Sequence, residues 1–258
     1  MIDSIHKLYN SKLLRAAVWP KEALRLPKFQ AHRGVWVSGT QENTLDAFKE
    51  AKLQKAEMFE CDVQLSSDLI PIIFHDSITG RFSKNSRRIL DLTADECKLE
   101  VNAPTLEEVL TDAKVPNFIN IELKTNSVAG TPLERKVVQL IRKLKVENRV
   151  LFSSFNPFSL YLLKQLAPQI PRALLVSSED HKDNKFYLKK MLLAPITGFH
   201  MLNLDYKMIN EELMELCHKK KIPVGAWTVN DRLKAQQLLE WGVSSIISDQ
   251  FFHCEMLK

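Results

Sequence analysis

Residues able to bind a cation, move protons and receive an anion stand at the ends of short apolar runs in this chain. They are His32 and Arg33, Glu60 and Asp62, His75 and Asp76, and Glu122 and Lys124. Three carboxylates, Glu60, Asp62 and Glu122, suit a hard divalent cation, Mg²⁺ or Ca²⁺, better than zinc, because the only cysteine nearby, Cys61, alternates to the opposite face of its strand. A lone carboxylate at a strand end is usually a helix cap or a surface ion pair. Glu60 and Asp62 lie two residues apart among apolar neighbours, so both point the same way into a setting where unpaired acids are costly. Glu122 and Lys124 obey the same rule. A single histidine beside a strand is usually a satisfied core or surface residue, which is the reading for His200, His218 and His253. His32 and His75 beside a metal are different, because phosphodiester cleavage needs one proton removed from a nucleophile and another given to the leaving alkoxide. Arg33 and Lys124 are placed to neutralise phosphate oxygens, although in a regular strand Arg33 would alternate away from His32 and bridge the mouth instead.

The elements that must position these groups follow from periodicity. Residues 29–34, 58–65, 71–76 and 118–124 read as strands, as do 150–155, 172–177, 198–205, 224–230 and 243–249. Helical spacing marks 44–56, 105–110, 132–144, 157–166, 185–193, 210–219 and 231–240. Strand then helix, repeated, is the signature of a parallel sheet. The link between Gln64 and Pro71 is too short for a parallel crossover, so 71–76 must return antiparallel as a hairpin arm, with Asp68-Leu69-Ile70-Pro71 as a less standard tip. Eight strands remain. That is the count of a (β/α)8 barrel, an α/β fold of the TIM type, and the polar residues fall at strand C-terminal ends, where such barrels place their chemistry.

The chain is long enough, at 258 residues with 45% hydrophobic and 26% charged composition, for one large barrel domain. The expected organisation is an N-terminal helical extension over 1–28 followed by the barrel over 29–258. Stripe residues Ile2, Ile5, Tyr9 and Leu13 suit a helix closing the barrel bottom, or a basic amphipathic helix at a membrane surface given Lys7, Lys12, Arg15 and Trp19. A formal charge of +5 spread along the chain argues against a nucleic-acid groove. Four scattered cysteines give neither a disulfide framework nor a thiolate metal site. With no run near the roughly 20 apolar residues of a membrane span, the chain reads as soluble and cytoplasmic, and its oligomeric state is left open.

The ordered segments Ala31-His32-Arg33-Gly34, Glu42-Asn43-Thr44, Phe59-Glu60-Cys61-Asp62-Val63-Gln64 and Phe74-His75-Asp76 resemble the glycerophosphodiester phosphodiesterases. So do Asn120-Ile121-Glu122-Leu123-Lys124, Ser153-Ser154-Phe155, Trp227-Thr228-Val229-Asn230 and the closing run from Gly242 to Asp249. The resemblance implies a (β/α)8 barrel with a short insertion after the hairpin strand, here 77–102. It implies Glu60, Asp62 and Glu122 as ligands of a divalent cation, His32 and His75 as the catalytic pair, and Arg33, Glu42 and Lys124 on the phosphate side. Phe155 and Trp227 would line the alcohol pocket. None of these positions is missing.

The expected reaction is metal-assisted hydrolysis of a glycerophosphodiester to glycerol phosphate and an alcohol. His32 would remove a proton from the glycerol hydroxyl beside the ester, a cyclic glycerol phosphate would form as His75 protonates the departing alcohol, and water would open the ring. Alternative readings are a lysophospholipase D acting on lysolipids, another metal-dependent barrel lyase or isomerase, and a non-catalytic phosphate-binding barrel. The loop holding Arg81, Lys84, Arg87 and Arg88 is either a solvated insertion or a site for anionic headgroups or a lipid surface, giving peripheral membrane contact.

Overall fold

The β-forming runs join into one nine-stranded sheet in the computed structural model, which describes residues 14–36, 39–125, 132–179 and 193–250. The strands are β1 (Phe29–His32), β2 (Met58–Leu65), β3 (Pro71–Ile73), β4 (Phe118–Leu123), β5 (Val150–Ser154), β6 (Arg172–Val176), β7 (Met201–Asp205), β8 (Val224–Trp227) and β9 (Ser245–Ser248). All neighbouring pairs are parallel except β2 with β3, and β1 pairs with both β2 and β9. The sheet therefore closes on itself as an eight-stranded parallel barrel, with β3 as the extra antiparallel arm. β3 takes over the edge of β2 that β1 leaves. β1 stops at the register His32 with Glu60, and the pairing with β3 runs along β2 from Val63 with Ile73 to Leu65 with Pro71.

Helices alternate with the barrel strands. They are α1 (Leu45–Leu53), α2 (Ala94–Val101), α3 (Leu106–Thr111), α4 (Pro132–Leu144), α5 (Pro157–Leu166), α6 (Ala194–Thr197), α7 (Glu211–Lys219) and α8 (Arg232–Glu240). Six of these starts are fixed by side-chain caps. Thr44, Asn156, Asn210 and Asp231 accept a backbone N–H from the first turn of α1, α5, α7 and α8, and Thr93 with Glu96 and Thr105 with Glu108 form capping boxes on α2 and α3. The outward strand residues, among them Cys61, Val63, Ile121, Phe152, Leu202 and Ile246, pack under the helices in one buried core.

The structure differs from the sequence reading in two places. The 77–102 insertion holds α2, unmarked by periodicity because its buried face is only Ala94, Cys97 and Val101 among charged residues, and has its own small core of Ile72, Phe74, Ile89, Leu92, Ala94, Cys97, Val101 and Ala103. Residues 14–28 contain no helix. They run beneath the barrel, where Trp19, Leu24 and Leu26 pack on Met58, Phe118, Leu151, Ala173 and Met201. The helix expected through Ile2 to Leu13, the one over 185–193 except its last residue, and His253 lie outside the described residues. The hairpin tip is turned by Leu69 in the left-handed region at φ +60°, with the Ser66 hydroxyl bracing the loop on Asp68 and the Ile70 carbonyl. No helix among the described residues is long and apolar enough to cross a membrane.

Candidate active site

Strand alternation stacks the inward side chains in layers. Above the apolar floor lie Gln30, Glu60, Asn120 and Ser245, where the Asn120 amide donates to Gln30 and the Gln30 amide donates to the Ser245 hydroxyl, both at 3.0 Å. Register then puts Asp62 beside Glu122 one pleat higher. Ligand atoms of Glu60, Asp62 and Glu122 all lie within 4.8 Å of one another, as the sequence reading requires. Glu60 Oε1 and Asp62 Oδ1 are buried and accept no hydrogen bond from the described residues. Buried carboxylate oxygens rarely lack donors, because an unsatisfied buried polar group costs roughly 1–3 kcal/mol and a charged one more. An all-oxygen set with two lone oxygens converging fits a hard divalent cation.

The remaining carboxylate oxygens are held by the protein. Glu60 Oε2 accepts the Arg33 backbone N–H at 3.1 Å, and Asp62 Oδ2 accepts the Asn43 amide at 2.8 Å. Arg33 does not continue β1. At φ +58° it leaves the alternation, and its guanidinium turns inward, with Nε 3.1 Å from Asp62 Oδ2 and Nη1 donating to Glu42 Oε1 at 2.8 Å. Gly34, at φ +86°, then lets the chain pass against α1, since a Cβ there would sit 2.7 Å from the Ala47 carbonyl carbon. The Lys124 ammonium donates to Glu122 Oε1 at 2.9 Å and lies 3.5 Å from Asp62 Oδ1.

Each histidine of the expected pair has its own carboxylate. Carboxylates only accept, so His32 Nδ1–H donates to Asp249 Oδ1 and His75 Nδ1–H to Asp76 Oδ1, both at 2.6 Å. His32 Nε2 then faces the acids, 3.9 Å from Glu60 Oε2. Gln64, the inward residue of β2 after Asp62, donates to the carbonyls of Phe74 and Asp76 and so pins the backbone on both sides of His75. Asp249, Asn43 and Gln64 are absent from the site expected from the sequence, and Asp76 stands there only as the neighbour of His75, with no role of its own. Asp249 had a signal, because it continues the inward alternation of Ser245 and Ile247 at the end of β9.

The charges explain the proton affinities. Burial, with Asp62 and Glu122 beside it, pushes the Glu60 carboxyl well above the usual range, and Arg33 only partly offsets this. Burial would raise Asp62 too, but Lys124, Arg33, His75 and the Asn43 amide outweigh it and hold that acid below the usual range. Burial opposes the charge on Lys124, yet Glu122 and Asp62 keep its pKa above the ordinary lysine value. Burial lowers the His75 imidazole; Asp62 opposes this, while Lys124 and Arg33 reinforce it.

Across the mouth, Phe155 follows β5 and Trp227 ends β8, and their rings meet edge to face with centroids 5.5 Å apart. The Trp227 indole N–H is anchored on the Asn203 carbonyl at 3.0 Å. The mouth thus has a charged half built on β1, β2, β4 and β9 and an aromatic wall opposite. The insertion is less cationic than its sequence suggests. Arg81 pairs with Glu42 and Asp76, Arg87 with Glu96 and Glu100, and Arg88 with Asp91.

The family whose model matches this sequence is described as the glycerophosphoryl diester phosphodiesterase family, over residues 32–252. A glycerophosphodiester phosphodiesterase of Bacillus altitudinis is 32% identical over 238 residues, spanning 87% of this chain and 95% of the relative. One from Caldanaerobacter subterraneus is 31% identical over 232 residues, 85% and 92% of the two chains. Among solved structures, an Oleispira antarctica phosphodiesterase in complex with the product sn-glycerol-3-phosphate superposes with TM-score 0.70 at 27% identity, covering 87% of this chain and 93% of its own.

Proposed function

The chain belongs to the glycerophosphoryl diester phosphodiesterase family, and from that premise we propose that its barrel mouth hydrolyses glycerophosphodiesters to glycerol phosphate and an alcohol. The observation that supports this site most directly is the pair of buried, donorless oxygens on Glu60 and Asp62, set between two histidines that each hold a carboxylate on Nδ1. Glu60, Asp62 and Glu122 would hold a divalent cation, Mg²⁺ or Ca²⁺, which when bound supplies Lewis acidity toward the phosphate and the neighbouring glycerol hydroxyl. Lys124 and Arg33 bring positive charge to the phosphate oxygens, and Glu42 fixes the Arg33 guanidinium.

With Nδ1 bound to a carboxylate, each imidazole presents Nε2 for proton transfer. His32 takes the proton of the attacking glycerol hydroxyl, its Asp249 partner stabilising the imidazolium that results. His75 gives a proton to the departing alcohol, and its lowered proton affinity favours release. Phe155 and Trp227 exclude water from the alcohol side. The family favours neither the lyase or isomerase reading nor the lysolipid one. A cytoplasmic setting suits the free, buried thiols of Cys61, Cys97 and Cys217.

The test is release of glycerol phosphate from a panel of glycerophosphodiesters. Activity is expected with Mg²⁺ or Ca²⁺, lost on chelation and restored by readdition. Full turnover in excess chelator with no metal retained would remove the metal assignment, and no turnover of any member would remove the function.

A further inference from the structure

Arg81 lies in the insertion rather than on a barrel strand, and its side chain is 45% exposed, yet it joins both halves of the charged network. Its Nε donates to Asp76 Oδ2 at 2.7 Å, while Asp76 Oδ1 holds His75. Its Nη2 donates to Glu42 Oε1 at 2.5 Å, the same oxygen that accepts Arg33 Nη1. Arg33 in turn lies against Asp62 and, through its backbone N–H, holds Glu60. The guanidinium is itself fixed, with its central carbon 4.5 Å from the Phe82 ring centroid, and Phe82 packs edge-on against Phe74 of the insertion core.

A planar fork that donates in two directions can set two carboxylates at a fixed separation, which an ammonium cannot do. Glu42 and Asp76 come from different segments. Glu42 lies before α1, and Asp76 lies after β3. Surface ion pairs taken singly are worth little. These differ because Glu42 is buried and two guanidiniums meet on one of its oxygens.

We propose that Arg81 is a positioning residue of the hydrolase, fixing Asp76 behind His75 and Glu42 behind Arg33, so that the insertion sets the geometry of the acid and base pair relative to the three acids. This rests on the hydrolase reading given above. Arg81 acts through the two carboxylates and leaves substrate contact to other groups. Its removal therefore affects turnover more than binding.

The experiment is steady-state kinetics of the full chain on a glycerophosphodiester at saturating divalent cation. Arg81→Ala and Arg81→Gln, the second keeping the stem over Phe82, are expected to lower kcat by about 10–100-fold with KM changed by less than about threefold. Added guanidinium ion should recover part of the loss in Arg81→Ala. Arg88→Ala, in the same insertion and bonded to Asp91, should leave kcat unchanged. In a Glu42→Gln/Asp76→Asn background, Arg81→Gln should cost less than about threefold, because its partners are already altered. Wild-type turnover in the same assay separates the failures. No turnover overturns the hydrolase reading and this proposal together. Ordinary turnover overturns this proposal alone if Arg81→Gln keeps a kcat within about twofold of wild type, or loses as much in the altered background as in the native one, or changes KM only.

Discussion

Single residues divide the labour at the barrel mouth. Inward alternation on β2 gives Glu60, Asp62 and Gln64, and these three take different tasks because their partners differ. Glu60 and Asp62 each leave one oxygen without a donor, whereas Gln64 spends its amide on the backbone around His75. The histidines are similar in construction, each with Nδ1 on an aspartate, so their roles separate by pH. Substituting His32 or His75 with Ala should lower kcat by about 10² to 10⁴ without loss of fold, the range for removing a general acid or base. The base must begin neutral, so His32→Ala should also abolish the fall in kcat/KM at low pH. The acid must begin protonated, so His75→Ala should abolish the fall at high pH, a limb that the lowered His75 pKa moves toward lower pH. A pH–rate profile of each variant is the check; exchanged limbs would exchange the roles, and unaltered profiles would leave both imidazoles structural. The types and spacing of these side chains were legible in the sequence because alternation is a local property. Asn43 was not, since its task arises from a contact 19 residues away, and for Asp249 alternation marks the inward face but not its partner 217 residues away.

At the scale of elements, the site depends on where strands stop. β1 ends at His32 because Arg33 takes a left-handed conformation, and this break swings the guanidinium into the site instead of onto the outer face that regular alternation predicts. The turn is completed by Gly34, whose missing Cβ allows contact with the Ala47 backbone in α1. Gly34→Ala would meet both an unfavourable φ and a 2.7 Å approach to the Ala47 carbonyl carbon, so it should destabilise the fold by roughly 2–4 kcal/mol. Chemical denaturation measures this, and an unchanged midpoint would mean that the turn relaxes freely. The glycine was visible in the sequence but its neighbour was not. The same holds for α2: Thr93 and Glu96 give a capping signature, yet Ala94, Cys97 and Val101 make too short a stripe to stand out. The insertion is thus a small folded unit, and its three arginines are all committed to its own acids or to Glu42 and Asp76.

The whole barrel was legible because eight strand-like runs with helical spacers admit few closed arrangements, and the short link from Gln64 to Pro71 singles out the hairpin arm. How its lower end is sealed was not, because residues 14–28 contact it through scattered side chains with no period. Trp19 packs edge-on against His200 with ring centroids 6.2 Å apart, and the Ala17 N–H donates to the Phe199 carbonyl. His200 is buried there, and its Nδ1 accepts the Arg172 backbone N–H at 3.0 Å, which requires that nitrogen to be unprotonated. The Arg172 guanidinium is also close, donating to the carbonyls of Ala167, Ile170 and Gly198. Burial and the Arg172 charge lower the His200 pKa to about 4. The unfolded chain binds the proton near the ordinary histidine value of about 6.5, so it takes up more protons than the folded chain between that pH and about 4. The contribution of neutral His200 is therefore complete above that window and is lost as pH falls through it. Between pH 7 and 5 the loss should be on the order of 1–2 kcal/mol. His200→Asn, which keeps an acceptor near Nδ1 but does not titrate, should lose less stability over the same interval. Urea unfolding of both proteins at the two pH values decides the matter, and parallel losses would show that the seal beneath the barrel does not depend on the protonation of His200.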